Sequence, residues 1–359
     1  MATKTALFLT PWYPSKQDAM SGLFVHKHVE ALRAQGIDVR VIHSTGWLEL
    51  WRKWLRYRWR WELPDLVVLN VIQKQGLLAL RLKKRYHIPY IIIEHWSGYL
   101  AESGMYMRQS HHKRQLLERI ARHAACILTV SDTLREAMQR CGIRNRRWER
   151  IDNVVDDFFF EGADSIRHNP NPSDSIRKKT FLHVSCFDER AKNVSVLLRA
   201  AKLLHAERQD WRLALVGNGP DYQAMRKLAK ELQIPEEQIS WTGELPPCEV
   251  SRRMQEADAL VLTSRYETCG VVLAEAAAVG IPIVSTAVGI APELITSDSG
   301  VLLPRTISAE ALAEVLSRFL DTPYPNAQHR LRERAEVYRA ETVGKKLKAV
   351  YDSCLYRDI

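Results

Sequence analysis

Two carboxylates, Glu267 and Glu275, stand eight residues apart in the stretch SRYETCGVVLAEAAAVGIPIVST, residues 264–286. The apolar run ALVLTS ahead of them reads as a short buried strand. Glu267 then falls on the loop leaving that strand, and Cys269 and Gly270 open the helix that follows. The first turn of a helix carries backbone N–H groups without intrahelical partners and the positive end of the macrodipole, which together suit a phosphate. Glu275 lies about one and a half turns into this helix. Its neighbours Ala274, Ala276, Ala277 and Ala278 are small and apolar, so the helix is expected to be largely buried. A carboxylate on such a helix needs partners, and ribose hydroxyls would supply them. The alternative is a solvated helix residue with no role.

Short apolar strands alternating with amphipathic helices must position these groups. In the first half TALFLT, DVRVIHS, DLVVLNV, PYIIIEH and ACILTVS read as strands. Helices fall in SGLFVHKHVEALRAQG, LLALRLKKRY, a polar stretch near 109–124 and DTLREAMQRCG. The polar segment EGADSIRHNPNPSDSIRKKT (161–180) interrupts the pattern as a linker, and the alternation restarts with TFLHVSC, RLALVG, ISWTG, ALVLTS and IPIVST. Such alternation predicts an α/β chain of two doubly wound parallel sheets covered on both faces. A length of 359 residues fits two domains of about 150–200 residues. Their expected limits are 1–165 and 178–328, with 329–359 a helical segment packing back toward the first domain. A cleft between the carboxyl ends of the two sets of strands would hold the ligand.

Composition excludes several classes. The six cysteines are scattered without a CxxC pair, which argues against a zinc site or a disulfide framework. No apolar run approaches the roughly 18–20 residues that span a bilayer, and the apolar core of MATKTALFLTPWYP is too short for a signal peptide. A cytoplasmic location is expected. The net charge of +10 is unevenly spread: residues 1–160 hold 26 Lys/Arg against 15 Asp/Glu, while the remainder is nearly neutral. The first half is therefore expected to meet something anionic, either nucleic acid or an acidic membrane surface.

The stretch 264–286 resembles the E-x7-E signature of retaining glycosyltransferases of family 4, which have the two-domain GT-B fold. Other segments are similar to the family's landmarks in the same order: SGLFVHKHVEALRAQGIDVRVI, IIIEHWSGY, LTVSDTLREAM, IDNVVDDFF, LVGNGP, WTGELP and STAVGIAPELI. The resemblance implies that Glu275 holds the ribose of a nucleotide-sugar donor, that Glu267 faces the donor sugar, and that the amides of Cys269, Gly270 and Val271 cradle the diphosphate. It implies that Lys192, in CFDERAKNVSVLLRA, neutralises the leaving diphosphate, that Gly22 lets a loop approach it, and that His95 touches the sugar. It also implies transfer without a bound metal or other cofactor, by front-face attack of the acceptor hydroxyl, in polysaccharide or lipopolysaccharide assembly. Two departures stand out. The family's arginine ahead of the lysine falls near Cys186 or Phe187, neither of them cationic, and its aromatic before the helix glycine is Cys269. A nucleotide-sugar epimerase and a non-catalytic protein that kept the fold are the competing readings.

One segment stands apart from that chemistry. WLELWRKWLRYRWRWE (47–62) holds five tryptophans and five Lys/Arg. Trp47, Trp51, Trp54 and Trp61 recur at helical spacing, whereas RYRWRW alternates like a strand, so the period is ambiguous. Tryptophan beside arginine suits an interfacial membrane segment. Trp47, Trp51, Trp54, Arg52, Lys53, Arg56 and Arg58 are the expected contacts to a lipid-linked acceptor or an anionic membrane. Local packing is the alternative, and nucleic acid is the least favoured partner.

Overall fold

The computed structural model describes residues 4–16, 18, 20–161 and 178–355. The chain divides into two compact units, residues 155–336 and a second body made of 1–154 together with 337–359. The expected linker at 161–180 lies almost wholly outside the described residues. The expected closing segment 329–359 is split between the units.

The first unit carries β1 (Thr5–Thr10), β2 (Asp38–His43), β3 (Leu66–Asn70), β4 (Tyr90–Glu94), β5 (Cys126–Thr129) and β6 (Trp148–Arg150), in the spatial order β2-β1-β3-β4-β5-β6 and all parallel. Every residue of β3 and β4 is buried, as a sheet covered on both faces requires. One face packs on the helix Leu23–Arg33 and the closing helix Ala340–Leu355, with Phe8, Val68, Ile91 and Leu128 meeting Val25, Val29, Leu347 and Tyr351. The closing helix is tied to the first strand by Lys4 Nζ on Asp352 (2.6 Å) and by the Tyr351 hydroxyl donating to the Thr5 carbonyl (3.0 Å).

The second unit carries β7 (Lys179–Val184), β8 (Trp211–Val216), β9 (Ile239–Gly243), β10 (Ala259–Leu262), β11 (Ile283–Thr286) and β12 (Gly300–Leu303), in the order β12-β11-β10-β7-β8-β9. Phe181, Leu213 and Leu215 pack against Leu197, Leu198, Leu316 and Phe319 on one face. From β7 the chain runs outward through β8 and β9, then returns to place β10 on the other side of β7. Strand order therefore reverses between β7 and β10. In sheets of this kind the loops leaving the two strands at such a reversal part and open a crevice. Both units match the two doubly wound sheets expected from the sequence, with β6 and β12 as added edge strands.

Closeness of the closing helix rests on Gly344, where a Cβ would lie 2.5 Å from the Ala31 carbonyl oxygen. Replacing glycine by alanine inside a helix ordinarily stabilises by about 1 kcal/mol. Here the overlap is with backbone, which cannot swing aside, and overpacking of that kind costs about 1–3 kcal/mol. Gly344→Ala is expected to lower the thermal midpoint of the first unit; an increase would show that the two helices are not seated this closely.

Candidate active site

Lys192 follows β7 and Glu267 follows β10, so the two side chains belong to the two loops that part at the reversal of strand order. They meet there: Lys192 Nζ lies 2.5 Å from Glu267 Oε1. Both side chains are largely shielded from solvent, at 16% and 12% exposure. Burial pulls the lysine's pKa down, but the adjacent carboxylate outweighs it and holds the ammonium above its ordinary range. The Ser264 hydroxyl donates a second bond to Glu267 Oε1 at 2.8 Å. Backbone bonds knit the same loops, with Arg265 N–H donating to the Ala191 carbonyl (2.7 Å) and the Thr263 hydroxyl donating to the Lys192 and Asn193 carbonyls (3.1 Å each).

Beneath the pair sits His183, fully buried on β7. Its Nδ1 contacts the Val261 carbonyl at 2.9 Å and its Nε2 the Ser185 hydroxyl at 2.8 Å. Burial lowers its pKa to about 4, so at neutral pH it is an uncharged prop. His183 is not among the residues expected from the sequence, although a lone histidine inside the apolar run TFLHVSC is a signal of its own.

Glu267 leads into the helix Val271–Val279 through Gly270, which has φ +80° and places no side-chain cap on the helix start. A Cβ at Gly270 would meet only the tip of the Leu273 side chain, at 2.9 Å, so the demand for glycine in this turn is the left-handed backbone conformation. From Leu273 onward every helix residue except Glu275 is buried, and Glu275 is half-buried. Val271 is half-buried and the Cys269 side chain is fully buried. The Cys269 carbonyl accepts from Ile290 N–H at 2.9 Å, while a Cβ on Gly289 would run into that same carbonyl. Gly219 plays a like part beside Cys186, where a Cβ would come within 2.9 Å of backbone. The glycines of GNGP and STAVG thus press loops together around the Lys192–Glu267 pair. Cys186 is exposed. Among the described residues no group of three or more His, Cys, Asp or Glu is placed to hold a metal ion.

Gly22 and His95 lie in the other unit. Gly22 starts the helix Leu23–Arg33 with φ +66°, and a Cβ there would stand 2.5 Å from the Trp12 carbonyl oxygen and 2.7 Å from Tyr13 N. The glycine is therefore required by the chain's own packing, whatever else approaches it. His95 follows β4 and is nearly buried, with its ring 4.4 Å from Phe24 and 5.6 Å from His28. Burial, assisted by His28, depresses its pKa well below the ordinary value, so the imidazole is neutral. Among the described residues its Nε2 has no hydrogen-bond partner, and the buried His28 Nδ1 and both amide atoms of Asn70 share that condition. Unsatisfied buried groups cost roughly 1–3 kcal/mol each.

Glu94, overlooked in the sequence, organises these strand ends. Its carboxylate accepts from Ile72 N–H (2.9 Å), His95 N–H (3.0 Å) and Trp96 N–H (2.9 Å), joining the loops after β3 and β4. Burial raises its pKa to about 7 despite those donors.

The tryptophan segment is a helix throughout, Trp47–Arg60, and the strand-like alternation at its end is not realised. Its expected contact residues divide between two faces. Trp54 is buried and stacked on Tyr57, which corrects its place among the external contacts. Lys53 is engaged with Glu49 and with the His43 carbonyl, Arg58 donates to the Trp61 carbonyl, and Trp51 is half-buried beneath Arg81. Trp47, Arg52 and Arg56 are exposed. Leu48, Leu55 and Trp59, not singled out from the sequence, are exposed with them.

Two family models match the chain. One, described as a glycosyl transferase 4-like domain, covers residues 43–153, and the other, glycosyl transferases group 1, covers residues 167–338. The N-acetyl-alpha-D-glucosaminyl L-malate synthase of Bacillus anthracis is 27% identical over 217 residues, 60% of this chain and 56% of that protein. The chain spans about half the length of the curated relatives it matches. Among solved structures, sucrose-phosphate synthase from Thermosynechococcus elongatus aligns with a TM-score of 0.79 at 19% identity, covering 98% of this chain and 99% of that one. Anabaena HepE, solved in complex with UDP, aligns at 0.72 and 17% identity, covering 98% and 100%. At these identities the likeness to the solved structures is one of fold.

The position of Glu94 carries a pH signature. The unfolded chain releases this proton near the ordinary carboxyl value of 4.5, whereas the folded chain keeps it up to about 7. Stability contributed by the protonated form is present below 4.5 and is lost as pH rises through that window. Wild type is expected to lose stability relative to Glu94→Gln between these values in denaturant melts. Parallel pH profiles for the two proteins would contradict the assignment.

Proposed function

Because this chain belongs to the GT-B glycosyltransferases, carrying their 4-like and group 1 domains, we propose that it moves a sugar from a nucleotide-diphosphate donor to a glycan or lipid-linked acceptor. The proposal includes retention of configuration at the transferred carbon, no requirement for a metal, and a setting in bacterial surface polysaccharide or lipopolysaccharide assembly. The observation that carries it is the Lys192–Glu267 pair at the β7/β10 crevice, beside a helix start that no side chain caps.

In this reading the diphosphate lies against the amides of Gly270 and Val271, with the Lys192 ammonium offsetting the charge that grows on it as the sugar–oxygen bond breaks. Fixed donors and charges of this kind act without reorganising at the moment of reaction. Pairing with Glu267 holds the ammonium charged and aimed. Glu267 keeps a second oxygen for a sugar hydroxyl, and Glu275 takes the ribose. The acceptor hydroxyl attacks on the face the phosphate leaves, and its proton passes to the departing phosphate oxygen, so no protein nucleophile is named. The proposed share of the first unit is acceptor binding and, through the unpartnered His95 Nε2, a contact to the sugar. A peripheral position at the cytoplasmic face of the membrane, with the helix Trp47–Arg60 toward lipid, completes the proposal.

Lys192→Gln and Glu275→Ala are each expected to lower transfer by about 100-fold or more, scored with a panel of nucleotide sugars as release of nucleotide with and without acceptor. Removing one half of a buried ion pair leaves the other charge uncompensated, so the double variant Lys192→Gln/Glu267→Gln is the control: it should fold like wild type and stay inactive. Near-normal turnover in both single variants would remove the site. Titration calorimetry with UDP and GDP separates an enzyme or epimerase, which binds one of them, from a scaffold that binds neither.

A further inference from the structure

The helix Trp47–Arg60 lies beside β2, the edge strand of the first sheet. Its inner face, Leu50, Trp54 and Tyr57, is buried. Two cations cover carbonyls of the strand, Arg33 on Val39 at 2.6 Å and Lys53 on His43 at 2.7 Å, which blunts an otherwise open edge. Between helix and strand runs a groove of about 590 Å3, whose wall includes Asp38, Arg40, Arg56, Arg60 and Trp61.

The cations around this groove fall into two sets. Arg33, Arg40 and Lys53 have carboxylate partners in Glu30, Asp38 and Glu49, at 2.7, 2.5 and 2.6 Å. The Arg40 guanidinium also lies 3.6 Å from the Trp61 ring. Arg52, Arg56 and Arg60 have no ionic or hydrogen-bonding partner among the described residues. Four residues apart, they form one row on the helix, and like charges in that register work against the helix that carries them. Among the described residues the carboxylate of the groove, Asp38, is committed to Arg40.

Next to the row, the outermost line of the helix is apolar. Leu48, Leu55 and Trp59 are 79%, 63% and 86% exposed. A soluble phosphate would satisfy the arginines and leave these three side chains in water. A phosphate carried on an acyl chain uses both faces at once, since arginine and an apolar stripe with tryptophan are what an interfacial helix presents to an anionic bilayer.

We propose that the groove between β2 and the helix Trp47–Arg60 is a binding site for the phosphate of an anionic lipid headgroup, held by Arg56 and Arg60, with Leu48, Leu55 and Trp59 entering the acyl boundary. This rests on the peripheral placement proposed above and adds to it a specific pocket. The groove supplies the charge selectivity, and the apolar line supplies depth of insertion.

Co-sedimentation of the full chain tests it, with vesicles of phosphatidylcholine alone and of phosphatidylcholine and phosphatidylglycerol in equal parts. Binding is expected only to the second, with affinity falling about fivefold for Arg56→Gln, about fivefold for Arg60→Gln and roughly 25-fold for both. Lys53→Gln, which removes a cation already paired with Glu49, should change binding less than twofold, and Trp59→Ser should weaken it without altering the helical circular dichroism. Equal losses from Lys53→Gln and from the arginine variants would overturn the groove in favour of diffuse charge. Competition by glycerol phosphate at concentrations matching the lipid would overturn the lipid as its occupant. Failure of wild type to bind either vesicle would remove the peripheral placement as well, and donor binding, measured separately, would be untouched by any of these results.

Discussion

The contact between Lys192 and Glu267 depends on a feature of topology before it depends on either side chain. Two parallel strands that are neighbours in space but far apart in sequence, β7 and β10, send their loops away from one another. The gap so made is the one place on that edge of the sheet where groups from distant parts of the chain can face a ligand. An ammonium and a carboxylate placed there shield one another from the cost of burial, which for either alone would run to several kcal/mol. Glycine then does what side chains cannot: Gly270, Gly289 and Gly219 let three loops close on the pair.

The strand ends of the other unit follow a different electrostatic logic. Glu94 sits in a fully buried position, accepts three backbone N–H bonds and still titrates near neutrality. His95 beside it is neutral, and several buried polar atoms nearby have no partner among the described residues. One unit thus offers a fixed charge pair and a helix dipole, suited to a polyanion. The other offers neutral donors and acceptors, suited to hydroxyls.

Ten of the strands were legible because parallel strands buried on both faces appear as short apolar runs bounded by turn residues. β6 and β12 were not. Trp148–Arg150 is half-buried and polar, while Gly300–Leu303 (GVLL) is apolar but only four residues long, too short to stand out without a neighbouring strand. Lys192 and Glu267 could be named from motif positions, but their contact spans 75 residues and needs the sheet order, which no local pattern encodes. Glu94 and His183 were missed for the reason that makes them matter: one ends an apolar strand and the other interrupts one, and periodicity treats such residues as noise. The contact set on the tryptophan helix included one residue, Trp54, that packs inward, and omitted Leu48, Leu55 and Trp59, which are exposed. Tryptophan was weighted over position, although the helical wheel alone puts Trp54 with Leu50 on the inner face and Leu48, Leu55 and Trp59 on the outer.

Membership of the closing helix in the first unit bears on how the chain is made. Tyr351 and Asp352 fasten onto β1, and Gly344 seats against Ala31, so the unit that begins the sequence is finished by residues near its end. During vectorial synthesis the intervening unit, residues 155–336, can complete its core while its predecessor still exposes the face meant for Val343, Leu347 and Tyr351. A ribosome-bound nascent chain would therefore carry an unsealed apolar surface on this unit until the helix Ala340–Leu355 had emerged.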